Sequence, residues 1–204
     1  GTHKASARLQ NFMRKHSNDK YYLQLDIRKY YYNINHNILR NFISKIIKDE
    51  RIVNLIMLFV DTVKGIGLFV GNVLSQLFGL IYLSPLDHFV KRFLKIKHYI
   101  RYVDDFVLVG LEKSEAHILK SKIENFLKDE LQLELSKFRI AKIKQGCNFV
   151  GFRTWKRVKF IRKHTLHNFS KAVKLQKEAS IISILGHAKH SSSHKYLISK
   201  IGAA

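Results

Sequence analysis

The sequence predicts an α+β fold, with helices packed on one face of a mainly antiparallel sheet. Segments that alternate apolar and polar residues are interleaved with segments of helical periodicity, in the order strand, two helices, helix, hairpin, helix and strand. A hydrophobic fraction of 46% over 204 residues is enough for a real core, which excludes a chain that is disordered throughout. The length suits one large domain, or one domain with a small appendage.

The first third of the chain is predicted as helix, strand, helix and helix. Residues 4–16 are basic with helical spacing of their apolar side chains, and residues 21–27 alternate as in a β-strand. Asn35 is a suitable N-cap for a helix over residues 36–48, whose apolar side chains share one face. A further helix is predicted over residues 52–63.

The middle third contains an acidic hairpin. Glycines punctuate residues 65–71, which predicts a hairpin or a tight turn, and residues 72–94 are mostly helical in pattern. Residues 98–110 hold two short apolar runs separated by Asp104 and Asp105, which predicts two strands joined by a tight turn.

An amphipathic helix, two strands and a basic helical tail are predicted to complete the chain. Each follows from its periodicity and from the polar residues that bound it. The ranges are 114–130 for the helix, 133–143 and 147–152 for the strands, and residue 163 onward for the tail, which closes with short helices at 180–187 and 193–201.

The charge balance is the strongest signal in the composition. Lys and Arg total 37 against 15 Asp and Glu, a formal net charge of +22. Self-repulsion of this size weakens a compact state, so it indicates a polyanionic partner, usually nucleic acid. A ribosomal-like basic protein and a membrane-surface protein carry similar charge, and charge alone does not separate them.

Other features of the composition exclude several classes. The longest apolar run, residues 77–83, is too short to cross a bilayer, so no membrane is expected. The single cysteine, Cys147, excludes an internal disulfide and a thiolate-rich zinc site. A reducing, cytoplasmic location is therefore expected. The chain starts at Gly1 without a visible signal peptide, which suggests a piece of a longer protein.

Three carboxylates stand out because acidic residues are scarce. Asp104 and Asp105 lie inside an apolar hairpin, and Asp26 interrupts a strand. If the strands are neighbours, the carboxylates meet at one sheet edge and repel one another unless a cation neutralises them. Oxygen ligands select hard ions, above all Mg²⁺. The alternative interpretation is a polar turn beside a solvated strand end.

The same positions resemble the motifs of reverse transcriptases. Tyr102-Val103-Asp104-Asp105 reproduces their YxDD box, and four further segments resemble family motifs in order. These are residues 25–31 (first catalytic motif), 71–76, 146–153 (primer-grip hairpin) and 1–5 (end of a fingers motif). The resemblance implies an RNA-directed DNA polymerase, divided into a fingers remnant (1–20), a polymerase palm (21–153) and a thumb-like basic helical region (154–204).

Within that family the chain most resembles the enzymes of diversity-generating retroelements. Gly71, Ser75 and Gln76 carry the pattern, and residues 185–190 look like their thumb, although Phe69 stands where a proline is usual. This type, bacterial or phage-encoded, copies a template RNA with errors at adenines, using deoxynucleoside triphosphates, a DNA or RNA primer and a small basic accessory protein. A group II intron or retron enzyme, an inactive RNA-binding relic and a basic scaffold remain as alternatives.

The resemblance assigns roles to individual residues. It gives two Mg²⁺ ions, with Mn²⁺ as a substitute, to Asp26, Asp104, Asp105 and the backbone carbonyl of Ile27. Tyr31 matches the aromatic gate that excludes a 2′-hydroxyl, and Val70, Gly71 and Gln76 are expected to shape the nucleotide pocket. A core position is the alternative for Tyr31.

Basic residues near the C-terminus are expected to hold a nucleic-acid backbone while the apolar residues between them enter the core. They are Lys156, Arg157, Lys159, Arg162 and Lys163, with Lys137 or Arg139 as candidates near the triphosphate. Helical spacing also brings His187, His190 and His194 to one face, as either a metal site or polar thumb residues, the second being favoured by the absence of a fourth ligand.

Overall fold

The structure, a computed structural model, describes residues 1–201. Its helices are α1 (Thr2–Arg14), α2 (His36–Ile46), α3 (Glu50–Val60), α4 (Val73–Tyr82), α5 (Ser84–His88), α6 (Lys113–Leu131), α7 (Lys163–Lys174), α8 (Glu178–Ala188) and α9 (His194–Ile201). Its strands are β1 (Tyr21–Ile27), β2 (Tyr99–Tyr102), β3 (Asp105–Leu111), β4 (Leu135–Lys142), β5 (Cys147–Phe149), β6 (Phe152–Thr154) and β7 (Lys159–Ile161). A π-helical turn, Phe89–Phe93, follows α5.

The main sheet has four antiparallel strands in the order β2-β3-β1-β4. The central strand β1 pairs with β3 and with β4, so that Asp26 lies opposite Asp105 on one side and Lys137 on the other. The predicted α+β class with an antiparallel sheet is confirmed. The register also makes the sequence-distant strands of the acidic motif direct neighbours.

Alternation along β1 divides its side chains between two faces. Leu23, Leu25 and Ile27 pack in the core formed with α2 to α6. Tyr22 belongs to a second core on the opposite face, where α1 and β5 cover the sheet. The expectation of helices on one face of the palm sheet therefore holds for α2 to α6, whereas α1, which precedes the predicted palm, packs on the opposite face.

The second sheet has three antiparallel strands in the order β5-β6-β7. Its first hairpin turns at Val150 and Gly151, both with positive φ (45° and 88°), as a two-residue turn of twisted strands requires. A third apolar cluster joins this sheet to the C-terminal helices through Phe152, Ile161 and Phe169. The sheet thus continues across residue 153, where the palm and thumb were divided; that division stays a prediction.

Side-chain caps mark the starts of α2 and α3. The Asn35 side chain accepts hydrogen bonds from the backbone N–H groups of Asn37 and Ile38, at 2.9 and 3.2 Å, as predicted. The next helix begins at Glu50, earlier than expected, because Asp49 caps it through Arg51 N at 2.9 Å.

The predicted helix over residues 72–94 forms a helical segment, Val73–Phe93, in which α4 and α5 meet at Leu83 and Pro85 lies in the first turn of α5. Proline is tolerated there because the first turn of a helix needs no backbone N–H donor. The segment has a mean hydropathy of 1.2 over its most apolar window and is long and apolar enough to cross a bilayer by those criteria alone. Tyr82, Leu83 and Leu86 lie in the core, as in the core helix of a folded domain.

The glycine-punctuated residues 65–71 form an irregular loop rather than a hairpin; the described residues contain only an isolated bridge there, between Asn35 and Ile66. Gly67 donates its N–H to the Ile34 carbonyl at 2.8 Å. A Cβ at Gly67 would lie 2.9 Å from the carbonyl oxygen of Tyr32, so glycine permits this close approach.

Candidate active site

The acidic hairpin has a strained turn. Tyr102 and Asp105 are paired at the ends of β2 and β3, so Val103 and Asp104 form the two-residue connection. Val103 has a φ of 58°, which is uncommon for a β-branched residue and costs about 1–3 kcal/mol. Such strain persists only where the surroundings impose it, and here it sets where the two carboxylates point.

A polar network of Arg101, Asp87 and Tyr99 fixes the position of this turn. The Arg101 guanidinium, whose side chain is 10% exposed, forms an ion pair with Asp87 at the end of α5. Its Nη1 also donates to the Val103 carbonyl at 3.0 Å. Tyr99 donates its hydroxyl to Asp87 at 2.7 Å. The helix end, the strand and the turn are therefore fixed to one another.

The three acidic residues lie together at one end of the sheet. Asp26 is the cross-strand partner of Asp105, and Asp104 follows in the turn. Burial, reinforced by the Asp26 charge and opposed by a hydrogen bond from Gln24, raises the pKa of Asp105 to about 6. Burial, together with the Asp26 charge, also raises the pKa of Asp104. The site therefore concentrates negative charge that a cation would stabilise.

The donor set fits a hard divalent cation, because all three side chains offer carboxylate oxygens. Within residues 1–201, however, no group of three such side chains is already close enough to hold a metal ion. The Asp26 carboxylate accepts a hydrogen bond from the Ser136 hydroxyl on β4. The three carboxylates are thus neighbours, but their oxygen atoms do not converge on one point as metal ligands do.

A cavity of about 600 Å³ opens in front of Asp104 and Asp105; we call it the catalytic cavity, after the role that the sequence predicts for these two residues. It brings together the predicted metal ligands of the hairpin and all the predicted nucleotide-binding side chains. Its lining includes Tyr31, Val70, Gly71, Gln76, Val150, Gly151 and Arg162. Asp26 and Ile27 do not line it; Ile27 is buried in the core beneath. The roles of these residues stay predictions, but their convergence is a property of the fold.

Tyr31 is held in place by a residue that sequence reasoning missed. Its ring packs against Tyr30, with centroids 5.2 Å apart. A Cβ built at Gly79 on α4 would lie 3.0 Å from the Tyr31 ring, so a side chain at this position would press against the ring and displace it. Burial and the nearby Asp104 charge raise the pKa of the Tyr31 phenol.

Gln24 is a second residue that no sequence motif indicated. Its Nε2 donates to Asp105 at 3.0 Å and to the Asn148 carbonyl at 2.7 Å. It therefore links the carboxylate on β3 to the β5–β6 hairpin. Strand alternation places Gln24 on the same face as Asp26, a signal that becomes informative only once the partner of β1 is known.

Comparison with known proteins shows the family of this chain. Residues 1–154 match the sequence profile of the family described as "Reverse transcriptase (RNA-dependent DNA polymerase)". The chain belongs to the reverse transcriptase family. No curated protein is significantly similar to it in sequence.

Solved structures share the reverse transcriptase fold at low sequence identity. An apo telomerase from Candida tropicalis, truncated from its C-terminal domain, has a TM-score of 0.63 and 18% identity, covering 79% of this chain and 40% of that one. A telomerase from Candida albicans in complex with a fragment of telomeric RNA has a TM-score of 0.62 and 13% identity, and the match covers 85% of this chain and 39% of that one. A foamy viral protease–reverse transcriptase in complex with an RNA/DNA hybrid has a TM-score of 0.53 and 18% identity, and the match covers 96% of this chain and 25% of that one. The chain thus spans less than half the length of these proteins.

The basic residues of this reverse transcriptase chain divide between several places. Arg162 lines the cavity of Asp104 and Asp105, whereas Lys156 and Arg157 lie at the β6–β7 turn, beside another cavity. Lys159 lies 5.3 Å from the centre of the Phe152 ring. Lys163 begins α7 and is exposed.

The apolar residues between these basic positions were expected to enter the core. Ile161 does so, but Val158 and Phe160 are 40% and 41% exposed, so that expectation is wrong for two of the three. Lys137 and Arg139 are cross-strand partners of Asp26 and Gln24 and share their face, yet neither lines the catalytic cavity.

Among the residues that the structure describes, the three C-terminal histidines, His187, His190 and His194, do not form the metal site that their spacing allowed. His187 and His190 lie near His3, with ring centroids 5.9 and 4.7 Å away, and His187 stacks on Phe152 at 4.4 Å. No metal-binding group of three includes them among the residues that the structure describes. The alternative interpretation, polar packing residues, fits these contacts.

Proposed function

We propose that this chain forms the polymerising centre of an RNA-directed DNA polymerase, which extends a primer on an RNA template. The observation that carries the proposal is the single cavity that joins Asp104 and Asp105 to Tyr31, Val70 and Gln76. A polymerase must hold an incoming nucleotide against its acidic centre, and this cavity provides both in one place.

Asp26, Asp104, Asp105 and the Ile27 carbonyl would hold two Mg²⁺ ions, for which Mn²⁺ can substitute. Bound there, the ions would activate the primer hydroxyl and neutralise charge on the leaving pyrophosphate. Gln24 orients Asp105 through its 3.0 Å hydrogen bond.

The proposed partners are a template RNA, a DNA or RNA primer and deoxynucleoside triphosphates. The net charge of +22 supports a nucleic-acid partner. The RNA/DNA hybrid in the foamy viral complex and the RNA in the Candida albicans complex support the kind of strand.

We further propose the diversity-generating retroelement type, with a small basic accessory protein as cofactor of priming. Gly71 and Gln76 line the catalytic cavity together with Val70. The small apolar side chain of Val70 forms no hydrogen bond that could select for correct base-pair geometry. This arrangement supports error-prone copying.

The proposal is tested by primer extension on homopolymer RNA with the protein in its natural full length. We expect Mg²⁺-dependent incorporation of deoxynucleotides, and sequencing of cDNA from a mixed template should place most errors opposite adenines. RNA binding without incorporation would instead support an inactive RNA-binding relic. Errors spread evenly over the bases would reject the retroelement type while leaving the polymerase in place.

Tyr31→Ala should relax the selection of sugars. Removing the ring opens the space that a ribonucleotide 2′-hydroxyl needs, so the preference for deoxynucleotides, measured as a ratio of kcat/KM values, should fall by about 10²-fold. Tyr32→Ala is the matched control, because the neighbouring Tyr32 is 64% exposed and does not line the cavity. Equal selectivity in both variants would reject the gate role.

A further inference from the structure

A second cavity lies at the β6–β7 turn, away from the acidic hairpin. Its volume is about 740 Å³, and Arg14, Lys144, Lys156 and Arg157 line it, together with Trp155 and Phe160. None of the described residues that line it is acidic. We call it the basic cavity. It concentrates positive charge beside aromatic side chains.

Among the described residues, three of the four cations of the basic cavity have no acidic partner, whereas the Lys144 Nζ lies 3.8 Å from an Asp19 carboxylate oxygen. Arg14 donates its Nε to the Lys156 carbonyl at 2.8 Å, and Lys156 donates its Nζ to the His16 carbonyl at 2.7 Å. Among residues 1–201 neither of them, nor Arg157, forms an ion pair with a carboxylate. The backbone contacts hold the side chains in place while their charge remains available to a ligand.

The aromatic side chains of the basic cavity are also held in place by their neighbours. The Trp155 ring packs over Gly146, where a Cβ would lie 2.4 Å from the ring, and Arg153 lies 4.9 Å from the ring centre. Phe160, 6.0 Å from Trp155, is 41% exposed. An exposed aromatic ring beside unpaired cations suits a nucleotide strand, whose bases stack while its phosphates are neutralised.

A third cavity adjoins both the basic cavity and the catalytic cavity, since it has lining residues in common with each. The third cavity shares Arg162 with the catalytic cavity and shares Trp155 and Phe160 with the basic cavity. The β5–β6 turn and the β6–β7 turn lie at opposite ends of β6, so about 10 Å of strand separates them. A flexible strand can therefore reach from one cavity to the other.

We propose that the basic cavity is a second nucleic-acid site, which binds single-stranded template RNA outside the catalytic cavity. The identity of the strand as template rests on the proposed function, whereas the chemistry of the site does not. Phosphates lie against Arg14, Lys144, Lys156 and Arg157, and a base stacks on Phe160.

Trp155 makes the proposal directly measurable, because it is the only tryptophan in the sequence. A short oligouridylate is titrated into the full-length protein without divalent cation or nucleotide, and tryptophan fluorescence is followed. We expect a saturable change whose affinity falls with salt, with a logarithmic slope of about −0.7 for each phosphate neutralised. Absence of a saturable change overturns the proposal.

Variants distinguish this site from binding elsewhere. Arg14→Gln combined with Arg157→Gln should weaken oligouridylate binding at least about tenfold and reduce the slope by about 1.4. Arg157→Gln alone, at an exposed position, gives part of the loss without risk to folding. Lys122→Gln with Lys128→Gln, both exposed on α6, is the control and should change neither.

Two further outcomes decide against the proposal. Unchanged affinity in the Arg14 and Arg157 variant overturns it, as does an equal fluorescence change with oligoglutamate, which would identify an acidic peptide site. Primer extension is measured separately on a short primer–template. Activity without the fluorescence change rejects only the basic cavity, and RNA binding at Trp155 without activity rejects only the polymerase.

Discussion

Asp105→Asn is expected to lower the rate of RNA-templated primer extension by at least about 10³-fold, a loss of about 4 kcal/mol in transition-state stabilisation. The amide removes a negative charge and one of the oxygen ligands that a hard cation requires. Gln24 already donates to this side chain, so an asparagine can keep that contact through its carbonyl oxygen. Asp104→Asn should act in the same way.

The control for this loss is Asp129→Asn on the exposed surface of α6, which should extend primers at the normal rate. RNA affinity and the far-ultraviolet circular dichroism spectrum should match the unmodified protein in all of these variants. If Asp105→Asn and Asp104→Asn both retained normal extension, the assignment of the metal ligands would be wrong.

Arg101→Met is expected to reduce the free energy of unfolding by about 3–5 kcal/mol, measured by urea denaturation. Methionine fills a similar volume but leaves the Asp87 carboxylate without its cation and the Val103 carbonyl without its donor. Breaking one partner of a buried pair is costly because the other remains as an uncompensated charge. The strained turn should also loosen, so extension activity should fall.

Two comparisons test that interpretation. Arg51→Met removes an ion pair with Asp49 at a side chain that is 92% exposed, and should cost less than about 1 kcal/mol. Combining Asp87→Leu with Arg101→Met removes both the buried cation and its half-buried carboxylate partner, and should recover much of the lost stability. A cost for Arg101→Met as small as that for Arg51→Met would show that the buried network does not stabilise the fold.

Features that depend on neighbouring residues could be predicted from the sequence. The strand at 21–27, the acidic hairpin and the cap at Asn35 follow from alternation, from a short acidic interruption and from side-chain capping. The adjacency of Asp26 and Asp105 was posed as a condition on the strand order, and the register of β1 and β3 meets it.

Features that depend on contacts between distant segments could not be predicted. Strand β7 has too few residues to show the alternation of apolar and polar side chains that marks a strand. It forms because its backbone pairs with the edge of β6 that β5 leaves unpaired. The helix α1 has an ordinary apolar stripe, and nothing in that stripe says which face of the sheet it covers. Gln24 and Gly79 matter through their contacts with Asp105 and Tyr31, and each of these partners is distant along the chain but close in space.

The pairing of Asp26 with Asp105 also restricts how the gene can change in length. Successive side chains of a strand point to opposite faces, so one inserted codon ahead of Asp26 within β1 would turn its carboxylate into the helix-covered core and bring an apolar neighbour out in its place. Single-codon insertions and deletions in β1 and β3 should therefore disrupt this site, whereas point substitutions at exposed positions of β4 should be tolerated.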